Sequence, residues 1–144
     1  MFLLFKIPAA FIAGLKVESV TSEAASVSVK KKWINQNPFR SIYFAVLSMA
    51  AEMSTGILCM GASYKRNPAV SMLIIKIEGT FLKKATGKVT FTCNDGIIAN
   101  EAVERAMTTG EGVTVKCAST GINEQGEIIA EFFCTWSFKT KTKT

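Results

Sequence analysis

One carboxylate stands alone in the most apolar part of the sequence. Residues 41–64 read SIYFAVLSMAAEMSTGILCMGASY, and Glu52 is their only charged residue. A carboxylate buried without partners costs several kcal/mol, or its pKa rises and it takes up a proton. Glu52 therefore lies on a face that water reaches, or it has a chemical role such as nucleophile or general base.

The spacing of residues around Glu52 predicts a central helix over residues 41 to about 60. An apolar stripe recurs at the i, i+3, i+4 and i+7 positions of a helix: Ile42, Ala45, Val46, Met49, Met53, Gly56, Ile57 and Met60. A polar stripe has the same spacing: Ser41, Ser48, Glu52 and Thr55. Hydroxyls of Ser48, Ser54 or Thr55 can then hydrogen-bond to the Glu52 carboxylate. This polarity and two glycines make membrane insertion poor, so no membrane span is expected.

The composition excludes several kinds of catalytic site. The 144 residues include no histidine, which removes Ser-His-Asp and Cys-His catalysis and histidine-ligated metals. The four cysteines show no Cys-x-x-Cys spacing and sit among apolar neighbours: Cys59, Cys93, Cys117 and Cys134. They are typical of buried free thiols in a reducing cytoplasm. We therefore expect a cytoplasmic protein with no metal and no cofactor.

The net charge of +6 and a pI near 9.3 favour anionic partners. These include nucleic acid, a membrane surface and a phosphate-bearing small molecule. The basic residues are scattered, and aromatic residues do not alternate with them as a single-strand binding surface requires. We expect a solvated basic surface and no nucleic-acid site.

The remaining patterns predict one α+β domain over residues 1–144, with a frayed basic tail at 139–144. The segment MFLLFKIPAAFIAG favours a short amphipathic helix over a signal peptide, with Pro8 in its first turn and Gly14 closing it. Two strands then turn near residues 22–24, and four more follow the central helix, with a minor helix between them. An antiparallel sheet of about six strands that must cover an apolar helix will curl around it.

This element order, with the segment NQNPFRSIYFAVLSMAAEMSTG, resembles the hotdog-fold thioesterase superfamily. It looks closest to a thioesterase-like branch of mostly unassigned role, and the resemblance covers nearly the whole chain. In the phenylacetyl-CoA and 4-hydroxybenzoyl-CoA thioesterases, an Asn-containing loop leads to His-Gly-Gly at the start of the central helix. An Asp or Glu follows nine residues after that His. The matching positions here are Asn37, Tyr43-Phe44-Ala45 and Glu52.

The resemblance implies hydrolysis of an acyl-CoA or related thioester, with coenzyme A arriving as part of the substrate. Glu52 would be the nucleophile or the base that activates water, and Asn37 would orient that water. Backbone amides near Phe44 and Ala45 would bind the oxyanion, and Tyr43 would help to position the substrate. Lys83 and Lys84 are candidates for the coenzyme A phosphates. The resemblance and the exposed sheet edges both imply a homodimer or a dimer of dimers.

Each of these residues also has a possible structural role. Glu52 can face solvent or pair with a lysine, Asn37 can be a turn residue, and Tyr43 can be a packing aromatic. Lys83 and Lys84 can be ordinary surface lysines. The alternative function is a non-catalytic hotdog domain that binds acyl ligands or serves as an assembly module. A hotdog dehydratase ranks last, because such enzymes as a rule use a histidine.

Overall fold

The computed structural model describes residues 2–141 and places six strands around one long helix. The elements in chain order are α1 (Phe2–Lys6), α2 (Pro8–Ile12), β1 (Leu15–Val20), β2 (Ala25–Lys30), a 3₁₀ turn (Trp33–Asn35), α3 (Phe44–Ser63), β3 (Val70–Phe81), β4 (Lys88–Cys93), α4 (Gly96–Thr109), β5 (Val113–Asn123) and β6 (Ile128–Thr140).

Turn residues fix the hairpin predicted near residues 22–24 and a second hairpin between β5 and β6. Between β1 and β2, the Thr21 hydroxyl accepts hydrogen bonds from the amides of Glu23 and Ala24. Between β5 and β6, the Asn123 side chain accepts from the Gln125 and Glu127 amides. Local side-chain acceptors of this kind hold a turn without help from the core. They therefore set the register of the strands on either side.

The six strands form one antiparallel sheet in the order β1-β2-β4-β5-β6-β3. Alternation in β6 places Cys134, Trp136 and Phe138 on the buried face. The sheet curls around α3, which contacts all six of its strands. This arrangement confirms the predicted α+β hotdog fold.

The central helix begins three residues later than predicted, because the preceding loop holds its backbone extended. The Asn37 side chain ties Ser41 into a turn, and the Ile42 amide donates to the Ala85 carbonyl at 2.8 Å. Tyr43 is the N-cap, with ψ of 136°. The helix then runs unbroken to Ser63.

Burial corrects the two stripes predicted for this helix. The sheet and α4 cover most of its circumference, and its fully buried positions include Ala50, Ala51, Ser54, Thr55 and Cys59. A narrow, partly exposed face remains: Ala45, Ser48, Met49, Glu52, Gly56 and Met60. Glu52 and Ser48 do share this face, but four residues of the predicted apolar stripe lie beside them: Ala45, Met49, Gly56 and Met60. Thr55 belongs to the core.

The predicted tail at 139–144 starts too early. Lys139 and Thr140 belong to β6 and pair with Ser71 and Val70 of β3, and the Lys141 amide donates to the Ala69 carbonyl at 2.7 Å. Residues 142–144 lie outside the described part of the chain.

Within residues 2–141, α3 is the one helix long and apolar enough to span a membrane, with a mean hydropathy of 1.4. The core helix of a soluble protein has the same properties, and half of this apolar window is buried by the protein itself. The fold therefore accounts for its hydrophobicity.

Candidate active site

Glu52 lies on an apolar groove of about 440 Å³ along the partly exposed face of α3. The groove is lined by N-terminal, sheet and helix residues: Phe2, Leu3, Ile7, Val17, Val20, Met53, Gly56, Ile57, Met60, Met72 and Trp136. Among the described lining residues, Glu52 alone is charged. Burial raises the pKa of its carboxyl group above the ordinary value. The groove can therefore hold an apolar chain beside a carboxyl group whose charged form is disfavoured by burial.

The hydroxyls near Glu52 donate to backbone carbonyls in the described chain, and a role for them in tuning its carboxylate stays a prediction. Ser48 donates to the Phe44 carbonyl at 2.9 Å, and Ser54 donates to the Ala51 carbonyl at 2.8 Å. Thr55 donates at 2.8 Å to the backbone carbonyl of Glu52 and not to its carboxylate. Each of these bonds reaches the backbone of the hydroxyl's own helix, as serine and threonine within a helix often do.

Trp136 forms one wall of the groove and is a residue that the sequence analysis did not single out. Its indole N–H donates to the Thr55 hydroxyl at 2.8 Å, and the ring packs against Gly56. A β-carbon on Gly56 would lie 3.1 Å from the ring and 3.6 Å from a Glu52 carboxylate oxygen. A buried indole N–H needs an acceptor, and Thr55 supplies it here.

The start of α3 presents two amides that can bind an oxyanion. The Tyr43 carbonyl accepts from the amides of Val46 and Leu47, and the Tyr43 amide donates to the Asn35 carbonyl at 2.9 Å. Within residues 2–141, the amides of Phe44 and Ala45 donate to no backbone or side-chain acceptor. Free amides at a helix N-terminus, with the helix dipole behind them, favour negative charge.

Asn37 uses its side chain to build its own loop. Its carbonyl oxygen accepts from the amides of Phe39 (2.9 Å) and Ser41 (3.2 Å), and its NH₂ group donates to the Ser41 hydroxyl at 2.9 Å. These bonds are those of a turn residue. Orientation of a water by Asn37, as the resemblance implies, stays a prediction.

Asn37 lies on a second cavity of about 400 Å³, away from Glu52. Phe44, Phe81, Lys83 and Lys84 also line this cavity. Lys83 forms an ion pair with Glu127, and the Lys84 ammonium lies 5.7 Å from the centre of the Phe39 ring. Both lysines are exposed, and Lys84 can turn toward a phosphate without breaking an ion pair in the described chain.

The predicted site residues thus fall into two groups within one chain. Glu52 and Thr55 belong to the part of α3 around the groove, whereas Asn37, Phe44, Lys83 and Lys84 surround the second cavity. Glu52 lies eight residues after Phe44, which is about 12 Å along a helix. A carbonyl held by the Phe44 and Ala45 amides is therefore out of reach of Glu52 in the same chain.

The buried cysteines form a cluster in the core between α3, α4 and the sheet. Burial is the main cause that raises the pKa of Cys134 to about 11, and hydrogen bonding between thiols raises the pKa of Cys93 and Cys117 further. Cys93, Cys117 and Asp95 bring three ligand-type atoms within 4.8 Å of one another. One oxygen of Asp95 accepts from the Ala118 amide at 2.7 Å, which links the start of α4 to β5.

Three solved structures place this fold among those of known proteins. A protein of unknown function from Pseudomonas aeruginosa, described as a "probable thioesterase", has a TM-score of 0.84 at 18% identity and covers 97% of this chain and 92% of its own. A protein of unknown function from Chlorobaculum tepidum has a TM-score of 0.82 at 13% identity, with 97% and 91% covered. A thioesterase from Haemophilus influenzae has a TM-score of 0.66 at 11% identity, with 97% and 88% covered.

At these identities the likeness shows a shared fold. No curated protein matches the sequence at a significant level. The family comparison covers nearly all of the chain, since residues 1–137 match one family. The chain belongs to the family DUF4442, a domain of unknown function.

Proposed function

We propose that this protein hydrolyses acyl thioesters, with acyl-CoA as the substrate class. The observation that carries the proposal is the half-buried carboxylate of Glu52 on an otherwise apolar groove. A charge in such a place costs stability, and groups of this kind concentrate at functional sites. Proteins with the same fold that are described as thioesterases support the same reaction class.

The chemistry assigns one role to each part of the site. The apolar groove holds the acyl chain, and the Phe44 and Ala45 amides stabilise the oxyanion that forms on the thioester carbonyl. Glu52 takes a proton from water, whose oxygen then adds to the carbonyl carbon, or it attacks that carbon itself. In the first route the carbon–sulfur bond then breaks, and the proton held by Glu52 passes to the coenzyme A sulfur, which leaves as the thiol. In the second route the broken carbon–sulfur bond leaves an anhydride between Glu52 and the acyl group, and water hydrolyses this anhydride. Both routes consume one water and give a carboxylic acid and the coenzyme A thiol.

The separation of the two groups in one chain leads us to propose a site shared between two copies. Glu52 of one copy would face the helix start, the Asn37 loop and Lys84 of the other, in a homodimer or a dimer of dimers. The edge strand β3 offers a surface for this pairing, because it exposes Leu73, Ile75 and Ile77. A cytoplasmic location, where coenzyme A and free thiols coexist, belongs to the same proposal.

The test is thiol release from a panel of acyl-CoA substrates of increasing chain length. Glu52→Gln keeps the shape of the side chain and removes the charge, so we expect the rate to fall by roughly 10²–10⁴-fold. Ser48→Ala is the matched control on the same helix face, and it should keep the rate, because its hydroxyl bonds only to the helix backbone.

The pH profile gives a second check on Glu52. The reactive form is the carboxylate, and burial raises its pKa, so the rate should fall with decreasing pH at a midpoint above 4.5. Full activity in Glu52→Gln, or a native profile without this acid limb, would show that the carboxylate is structural.

The second candidate is a non-catalytic domain that binds acyl ligands or acts as an assembly module. It is favoured by Asn37, whose side chain is engaged in its own turn, and by the bulk of Phe44 at the helix start. Saturable binding of acyl-CoA without thiol release, unchanged in Glu52→Gln, would select this function.

A further inference from the structure

We propose that the outer surface near the N-terminal helices binds an anionic lipid membrane. This basic apolar surface is formed by the end of α2 and the 3₁₀ turn after β2, and its residues are Phe11, Ile12, Lys32, Trp33 and Ile34. It lies outside the two cavities described above and has no part in the proposed reaction.

Asn35 holds the two segments of this surface together. Its side-chain NH₂ group donates to the Ala13 carbonyl at 2.9 Å and to the Lys30 carbonyl at 3.0 Å, and the residue is 2% exposed. The Lys32 side chain runs alongside, with its ammonium 3.9 Å from the place of a β-carbon on Gly14. The turn and the helix end therefore form one fixed platform.

The platform exposes large apolar side chains. Trp33 is 81% exposed and Ile12 is 62% exposed, and Ile34 and Phe11 are each about half exposed. Scattered apolar residues on a surface are ordinary, but these four lie on two segments that Asn35 joins, and together they are called the apolar patch. Tryptophan with neighbouring aliphatic side chains is the composition that inserts at the headgroup level of a bilayer.

The charge around the patch selects an anionic partner. The sequence has no acidic residue from position 1 to 17 or from 24 to 51, whereas Lys6, Lys30, Lys31 and Lys32 lie in these segments. Within residues 2–141, none of these lysines forms an ion pair. A second copy of the chain would bring like charges face to face, which disfavours self-association here. Lysines beside inserted apolar residues instead match a membrane with anionic headgroups.

The position of the surface also connects it to the groove. The N-terminal segment that exposes Phe11 and Ile12 on α2 also lines the groove, with Phe2, Leu3 and Ile7. A membrane contact here would place the groove next to a source of acyl chains. This connection rests on the proposed function, whereas the lipid binding itself does not.

The experiment is co-sedimentation with vesicles of phosphatidylcholine alone or with about one third phosphatidylglycerol. We expect the native protein to bind the anionic vesicles and not the neutral ones. Lys32→Ser should weaken binding about fivefold. Trp33→Ala combined with Ile34→Ala should weaken it more than about tenfold, because two apolar side chains no longer insert.

Two matched controls come from exposed positions elsewhere. Ile97→Ala on α4 removes an aliphatic side chain that is 56% exposed, and Lys65→Ser after α3 removes an exposed charge. Both should bind like the native protein, and circular dichroism should show that all variants are folded. Absence of native binding to anionic vesicles, or equal weakening by the controls, would overturn the proposal.

Two further outcomes would also contradict it. A change of oligomeric state in the Trp33→Ala, Ile34→Ala variant by sedimentation velocity would identify the surface as a contact between copies. Equally tight binding of single-stranded RNA that survives the loss of Trp33 would identify a general polyanion surface. Vesicle binding is measured without substrate, so its failure is independent of the hydrolase test.

Discussion

Thr55→Val tests how the wall of the groove is held in place. Thr55 is fully buried, and its hydroxyl accepts the indole N–H of Trp136, itself only 6% exposed, at 2.8 Å. Valine has nearly the same shape as threonine but no acceptor. The substitution therefore leaves a buried N–H group without a partner while it changes the packing very little.

The expected loss is about 1–3 kcal/mol in the free energy of unfolding, the usual cost of an unsatisfied buried polar group. For a chain of this length, about 1 kcal/mol shifts the melting temperature by roughly 4 °C, so Tm should fall by roughly 4–12 °C. Thr114→Val, at an exposed position of β5, is the matched control and should change stability by less than about 0.5 kcal/mol.

A double-mutant cycle separates the hydrogen bond from other effects of valine. Trp136→Phe removes the donor, so Thr55→Val should cost about 1–2 kcal/mol less in that background than in the native protein. Urea unfolding followed by circular dichroism at one fixed protein concentration measures all four forms. An equal cost of Thr55→Val in both backgrounds would refute the role assigned to this hydrogen bond.

The remaining predictions concern two glycines and one buried cysteine. Gly121→Ala should destabilise the protein by about 1–3 kcal/mol, because the new β-carbon would lie 2.5 Å from the fully buried Phe91 ring. Gly61→Ala, whose β-carbon meets nothing within 4 Å, should stabilise α3 by about 0.5–1 kcal/mol. Thermal unfolding of the Gly121→Ala and Gly61→Ala variants measures both effects. With its pKa raised to about 11, Cys134 should be ionised in roughly one molecule in a thousand at pH 8, so a thiol reagent should label it only as fast as the protein unfolds. Rapid labelling of the native protein would contradict the burial of Cys134. The free energy of unfolding should also fall as pH rises from 9.0 toward 11, because the thiol then ionises in the unfolded chain and stays protonated in the folded one.

Local signals in the sequence predict the fold well. Turn residues such as Thr21 and Asn123 act on their immediate neighbours, so the hairpins can be read from short segments. The start of α3 could not be read in this way. The Ile42 amide bonds to the Ala85 carbonyl, and a contact between residues so far apart in the chain leaves no local pattern.

The site was harder to predict because the sheet buries most faces of α3. Helical periodicity distinguishes a solvent-exposed face from a buried one by the polarity of its residues. On a helix that the protein covers almost completely, the faces differ little in polarity. Glu52 was recognisable because a single charge stands out in any apolar segment. The hydrogen bonds of the nearby hydroxyls could not be predicted. Whether Ser48 and Thr55 donate to the carboxylate or to the backbone depends on their side-chain rotamers.

The sheet order has a consequence for the protein during its synthesis. Among residues 2–141, strand β3 pairs with β6 alone, and about 60 residues separate the ends of the two strands in the chain. At 5–20 residues per second, a ribosome needs roughly 3–12 s to complete β6 after β3. During that interval the isoleucine-rich strand β3 has no partner in its own chain. An isoleucine-rich strand thus stays unpaired for seconds, and a chaperone that binds extended apolar segments would find its target there.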